Sequence, residues 1–297
     1  MYLNVMVYRL FRLRRLILVS VLPPCLAVLA IYVVKGPSAL YLLPFALLGP
    51  GLHILRYPNA WTESLAVSLT LSVVLGLAGT VGTDVGLIGL SLRLVGLGVV
   101  GVIVFLAVST LGAGLLFFGP EKEFTVSAHR KSRLDPATLK KRITLYPGRV
   151  DDRVSCGQAR EDGVFPVTMK HQISDLSDAG SEQIDVTYFG FVLTDRPELH
   201  ELIAIPGDGG DTSTTQHSFI EQRKGTIVNL SERSLPVTYG FFAGYWLQDY
   251  LADHLTDEID HAEGRAMRAN RFQKHDMLLL DFARFFARPG KGATPAE

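Results

Sequence analysis

Apolar residues are arranged in two ways along this chain, and the change falls at Gly119–Pro120. Before that point they form long runs almost free of charge. A helix needs about 20 mostly apolar residues to cross the ~30 Å hydrocarbon core of a bilayer. Four segments approach that length: Leu16–Val34, Ala39–Leu55, Trp61–Val81 and Leu94–Phe118. The second is short and interrupted by Pro44 and by Gly49-Pro50-Gly51. It is expected as a kinked or re-entrant span, since lipid tolerates such breaks only where protein covers the freed backbone groups. Val85–Phe118 is too short for two crossings and a turn, which take roughly 40 residues. Arg93 belongs at the interface, because a central arginine costs ~3 kcal/mol on insertion scales.

After Pro120 the period shortens. The run 123–128 (EFTVSA) alternates and predicts a strand. Asp135 reads as a helix N-cap with Pro136 at the first helical position, so a short helix follows, closed by Pro147–Gly148. Five more strand-like runs come next: Val164–Ile173, Ile184–Asp195, Leu199–Gly207, Ser213–Glu221 and Thr226–Glu232. Short links rich in Gly, Asp and Ser join them, which predicts an antiparallel meander and excludes a doubly wound sheet. In the second of these runs Ile184, Val186, Tyr188 and Val192 point one way and Phe189, Phe191 and Leu193 the other, so both faces are apolar. One long helix is then predicted. Its apolar stripe of Leu247, Leu251, Leu255, Ile259 and Ala262 lies on the sheet. The expected architecture is a membrane α-helical region of four spans plus an α+β domain, an antiparallel sheet gripping a long C-terminal helix. The divisions are 1–120 (membrane), 121–268 (α+β) and 269–297. In the last, Asp276–Arg288 has the look of an amphipathic interfacial helix or of one packed on the domain, and the remainder reads as disordered.

Charge adds orientation. Residues 1–119 carry seven Lys/Arg and two acids, while residues 120–297 carry 22 and 27, so a net of zero divides into +5 and −5. The acidic half argues against nucleic acid as a partner. Arg9, Arg12, Arg14 and Arg15 precede the first span, and Lys122, His129, Arg130, Lys131 and Arg133 follow the fourth. Basic flanks stay on the cytoplasmic side, and four spans satisfy both. A multi-pass protein of the plasma or inner membrane is expected, with its N-terminus and C-terminal domain cytoplasmic. A cleaved signal peptide fits less well, since three further spans follow and no small-residue cleavage site stands out. Cys25 and Cys156 lie in different halves, which is no disulfide scaffold.

The stretches 123–139 (EFTVSAHRKSRLDPATL), 219–232 (FIEQRKGTIVNLSE) and 245–255 (YWLQDYLADHL) resemble the START-like, polyketide-cyclase-like superfamily called SRPBCC, in order of elements more than in motif. The resemblance covers about 123–268. It implies a helix-grip fold with a cavity between sheet and helix that takes an apolar ligand. The tryptophan-bearing segment common after that family's first helix is replaced here by LYPGRVDDRVSCGQ at 145–158.

Candidate chemistry is sparse. Tyr188, Phe189, Phe191, Phe241, Tyr245, Trp246 and Tyr250 are the proposed pocket lining, with Phe242 beside them, because ligand cavities favour aromatic walls; ordinary core is the competing reading. His254, Glu258 and His261 share a helical face at spacings that can bind zinc, though solvated side chains have the same look. The Gly- and Asp-rich loop Ile205–Ser213 lacks P-loop and EF-hand spacing and reads as a hairpin turn. Asp151–Asp152 and Asp175/Asp178 read as solvated loop acids. No nucleophile elbow is present, and no catalytic residue, metal or cofactor is assigned. Gly96, Gly98, Gly101, Gly112 and Gly114 permit close helix packing within the span region or a seam for a homo-oligomer. The function expected is binding of an apolar or amphipathic ligand, membrane lipid included. The alternatives are a structural or interaction protein without a cavity, and a cyclase- or hydrolase-like enzyme.

Overall fold

The computed structural model describes residues 2–80, 87–174, 181–207, 211–265 and Leu278. The chain divides into two compact units. One holds Met1–Leu16, Thr110–His171 and Ile184–Phe272; the other holds Ile17–Ser109, Gln172–Gln183 and Gln273–Glu297. Residues 1–16 and 110–119 therefore cluster with the sheet, and 17–109 make up the bulk of the other unit. The expected tail helix falls outside the described residues apart from Leu278, as do Asp175 and Asp178.

The apolar unit is built from α2 (Arg14–Lys35), a 3₁₀ turn (Pro37–Leu42), α3 (Leu43–Arg56), α4 (Trp61–Thr80) and α5 (Leu87–Phe117), with α1 (Tyr2–Arg12) preceding them. Among the described residues, four helical stretches are long and apolar enough to cross a membrane: Arg14–Lys35, Pro37–Arg56, Trp61–Gly79 and Arg93–Gly112. Neither expected break interrupts the second: α3 runs through Gly49-Pro50-Gly51 with Pro50 inside it, and the change from 3₁₀ to α-helix falls at Leu42–Leu43. Gly36 turns the chain at φ +78° and Pro37 opens the 3₁₀ turn, whereas Pro44 sits in the first turn of α3. A proline there removes no helical hydrogen bond. Val28, Ile31, Ala39, Ala46 and Leu75 form the packed centre. Gly101 lies close against Thr70 and Val74 of α4, while Gly96 and Gly98 have no such neighbour among the described residues. Where α3 meets α4, His53 and Glu63 are both buried, with His53 Nδ1 3.1 Å from Ser64 Oγ and Nε2 3.5 Å from Glu63 Oε2.

In the polar unit, β2 (Thr125–Ser132), β3 (Val154–Cys156), β4 (Val164–Ser174), β5 (Ser181–Arg196), β6 (Leu199–Pro206), β7 (Ser213–Gln222) and β8 (Gly225–Arg233) make one seven-stranded antiparallel sheet in the order β2-β8-β7-β6-β5-β4-β3. Five successive hairpins form the meander, and β2 returns to pair with β8, matching Ala128 with Leu230. A separate two-stranded ribbon joins β1 (Glu121–Lys122) to β9 (Val237–Thr238). Strands β1, β3 and β9 are two or three residues long, too short to show an alternation. Helix α6 (Pro136–Ile143) starts as anticipated: the Asp135 carboxylate accepts the Thr138 N–H at 2.9 Å, and that bond lowers its pKa.

The long helix is two helices, α7 (Tyr239–Leu247) and α8 (Tyr250–Ala262). They part at Asp249, which adopts left-handed backbone angles of φ 49° and ψ 43°. Aspartate tolerates that conformation better than most residues, and the N-terminal arginines brace it. Arg12 Nε donates to Gln248 O at 3.1 Å, Arg15 donates to Trp246 O at 2.9 Å, and the Asp249 carboxylate lies 3.6–3.7 Å from Arg14 and Arg15.

Helix α8 has two buried rows and a third, half-buried one, at steps of four and three. Leu251, Leu255, Ile259 and Ala262 pack on Leu139 and Ile143 of α6 and on Phe219, Val228 and Leu230 of the sheet. Each large apolar side chain buried there contributes about 2 kcal/mol. Asp253, Asp257 and Asp260 form the second row, at most 1% exposed, and each meets a cation: Arg12 at 3.2 Å, Arg153 at 2.8 Å and Arg265 at 3.6 Å. Asp253 also accepts the Tyr8 hydroxyl at 2.6 Å. Burial and then the Asp253 charge raise the Tyr8 pKa, so its proton stays on oxygen. Tyr250, His254, Glu258 and His261 form the third row.

Candidate functional site

The third row of α8 faces a cavity of about 680 Å³ within the polar unit. Its wall comes from the inner face of β4–β7, the end of α6 and the segment leading to β3. One side is apolar: Met169, Val186, Tyr188, Leu202 and Ala204. They share a face because Tyr188, Val192 and Leu202 pack on Phe165, Val167 and Val154. Gly190 lies on that face too, where a Cβ would come within 2.8 Å of the Phe165 ring.

The other side is polar, and its cations are occupied. Arg149 binds Asp151 at 2.6 Å and the Thr144 carbonyl at 2.8 Å, Arg153 binds Asp257, and Arg142 donates to the Ala262 carbonyl. Burial raises the Asp257 pKa to about 6 in spite of Arg153. His200 and His217 are cross-strand partners on β6 and β7. His200 Nδ1 lies 3.4 Å from Asp195 Oδ1, and the hydrogen bond from Lys140 holds the Asp195 pKa low. An ionised carboxylate only accepts, so Nδ1 carries the proton. Burial lowers the His200 pKa further. The ring is then neutral, and Nε2 is a bare acceptor with no partner. Neither nitrogen of His217 is hydrogen-bonded, and its Nε2 stands 3.8 Å from Glu258 Oε2, which also lacks a partner. Glu258 Oε1 is 3.2 Å from His254 Nε2. Glu232 accepts the Tyr245 hydroxyl at 2.9 Å.

Of the seven aromatic residues singled out from sequence, the structure places Tyr188 and Tyr250 on the cavity wall. Tyr245 stands one step behind, its ring tilted against Tyr250 at 4.7 Å between centroids and its hydroxyl bonded to Glu232. The other four lie elsewhere. Strand alternation turns Phe189 and Phe191 to the opposite face, where Arg160 covers Phe189 at 4.8 Å and Phe191 abuts Gly163. Phe241 and Trp246 are half exposed on α7, and Arg15 lies over the Trp246 ring at 4.7 Å. Sequence reasoning missed His200, His217 and Arg153. It noticed His254, Glu258 and His261 but read the face they share as solvent or metal.

Among the described residues, the group of metal-binding atoms close enough together to share an ion is Asp151, Asp152 and His261, all within 4.8 Å. Asp151 already spends Oδ2 on Arg149 and Oδ1 on the backbone N–H groups of Arg153 and Val154. A cation there would have to displace those bonds.

No protein-family model matches the chain, and no curated protein does. Solved structures match about half of the chain. A Staphylococcus aureus protein of unknown function is 12% identical over 48% of this chain and 94% of its own, with a TM-score of 0.34. Ara h 8.0201 is 12% identical over 48% of this chain and 97% of its own, with a TM-score of 0.34. The di-domain ARO/CYC StfQ from the steffimycin biosynthetic pathway is 11% identical over 58% of this chain and 60% of its own, with a TM-score of 0.32. Likeness at this level transfers no ligand and no activity.

Proposed function

We propose that residues 121–265 are a START-like, helix-grip ligand carrier, held at a bilayer by the apolar helices. The observation that supports this best is the cavity itself. At about 680 Å³ it falls within the range of roughly 300–1,000 Å³ usual for small-molecule sites. Its side under the sheet is apolar, and its far side carries a few polar groups, the pattern an amphipathic ligand requires. Membrane lipid or a small apolar molecule is the ligand class. The basic flanks place the domain on the cytoplasmic side of the plasma or inner membrane. A tethered module meets lipid at high effective concentration, which makes a modest intrinsic affinity sufficient.

The test is Nile red titration of the full chain in lipid nanodiscs, with empty discs subtracted. Saturable uptake is expected from the wild type. Ala204→Trp puts an indole into the cavity and should weaken uptake at least about tenfold while the thermal melt is retained. Uptake equal to wild type in that variant overturns the reading.

A further inference from the structure

The polar wall of the cavity contains more acceptors than donors. Arg149 and Arg153 are paired with Asp151 and Asp257, and Arg142, an exposed side chain, donates through one nitrogen to the Ala262 carbonyl. What remains unsatisfied and buried is His200 Nε2, Glu258 Oε2 and both ring nitrogens of His217. His200 is 2% exposed and His217 6%. His200 Nε2 can only accept, because Nδ1 holds the ring proton against Asp195. Glu258 Oε2 can only accept as a carboxylate. His217 contributes one donor and one acceptor in its neutral form. An unpaired buried acceptor is costly, more so when charged, so these atoms are the part of the molecule that a ligand would relieve.

We infer that the polar end of the ligand is a hydrogen-bond donor, a protonated amine or a hydroxyl, that sits between His200, His217 and Glu258, and that carboxylate- or phosphate-ended amphiphiles are disfavoured. This rests on the cavity being the ligand site. A carboxylate at this position would face Glu258 Oε2, while Arg149 and Arg153 are already paired with acids. An ammonium would donate to Glu258 and His200 together, with the Tyr188 and Tyr250 rings in the same wall.

Octylamine, octanol and octanoate have matched chains and differ at the head alone. Calorimetric titration of each into full-chain nanodiscs, corrected for partition into empty discs, separates the outcomes. Octylamine is expected to bind at least about tenfold tighter than octanoate, with octanol between them, as a charge-assisted hydrogen bond allows. Glu258→Gln should shrink the amine-to-octanoate ratio by roughly tenfold. Octanoate binding as tightly as octylamine overturns the inference and leaves the carrier reading intact. Failure of all three to bind, together with no uptake of Nile red, overturns the carrier reading instead. If amine and alcohol bind equally and both exceed octanoate, the head is a hydroxyl-type donor and Glu258 acts as a neutral-ligand acceptor.

Discussion

Asp253 is the hinge pin between the N-terminal helix and α8, and its removal gives a graded test. Its carboxylate is 1% exposed, the Arg12 side chain is 3% exposed, and the two lie 3.2 Å apart. Replacing Asp253 by Leu leaves Arg12 buried without its counter-charge, which costs about 3–5 kcal/mol. Tyr8→Phe removes one hydrogen bond to a charged acceptor but leaves Arg12 in place, so its cost sits near 1.5 kcal/mol, the lower end for that class. The triple variant Tyr8→Phe, Arg12→Met, Asp253→Leu replaces the whole buried polar knot by apolar side chains. It should return to within about 1–2 kcal/mol of wild type, because an apolar substitute avoids the desolvation that the ion pair carries. Denaturant unfolding of the full chain reports these differences through Trp246, with Trp61 replaced by Phe. Trp246 is the right reporter, since Arg15 stacks on it at the end of α7. If the triple variant is as unstable as the sum of its single changes, the three groups do not act as one knot, and the docking of α1 on α8 is refuted.

Asp257 supplies a pH signature. Its folded pKa of about 6 stands above the ordinary value of 3.8, so the native state holds its proton more tightly than the unfolded chain. The stabilisation is complete below about pH 4 and is lost as pH rises through about 6. Relative to Asp257→Asn, the wild type should lose about 2 kcal/mol between pH 4 and pH 7 in paired denaturant melts; a gain over that interval contradicts the burial of this acid. Gly225 turns β7 into β8 at φ +99°, and a Cβ there would collide with the Ser132 carbonyl on β2. Gly225→Ala should lower stability by at least about 2 kcal/mol, and a melt within 0.5 kcal/mol of wild type, roughly the scatter of neutral surface changes, would show that the β2–β8 edge is open.

What the sequence disclosed depended on the range of the interaction. The meander was legible because each hairpin is local, with alternating runs and Gly-rich links. The start of α6 was legible because Asp135 and Thr138 are three residues apart. The first row of α8 was legible because apolar periodicity marks it directly. The break at Asp249 was not, since the periodicity runs straight through it and the arginines that hold it come from the other end of the chain. Those arginines had a sufficient explanation as a topological signal, which concealed their second use: Tyr8 and Asp253 are separated by 245 positions. The cavity wall was hidden for a related reason. His200 and His217 meet only through strand register, and the aromatic count at Phe189 and Phe191 could not reveal which face of β5 looks inward.

Helix α8 has no side to spare. With about 100° between successive residues, inserting a single amino acid would turn every position beyond it by that angle. Aspartates would then swing into ligand space, histidines onto the aliphatic bed, and aliphatic side chains toward the guanidinium groups. The spacing of this segment is therefore constrained as tightly as its composition, and a natural variant that tolerates a length change between Tyr250 and Ala262 would have to rebuild three surroundings in one step.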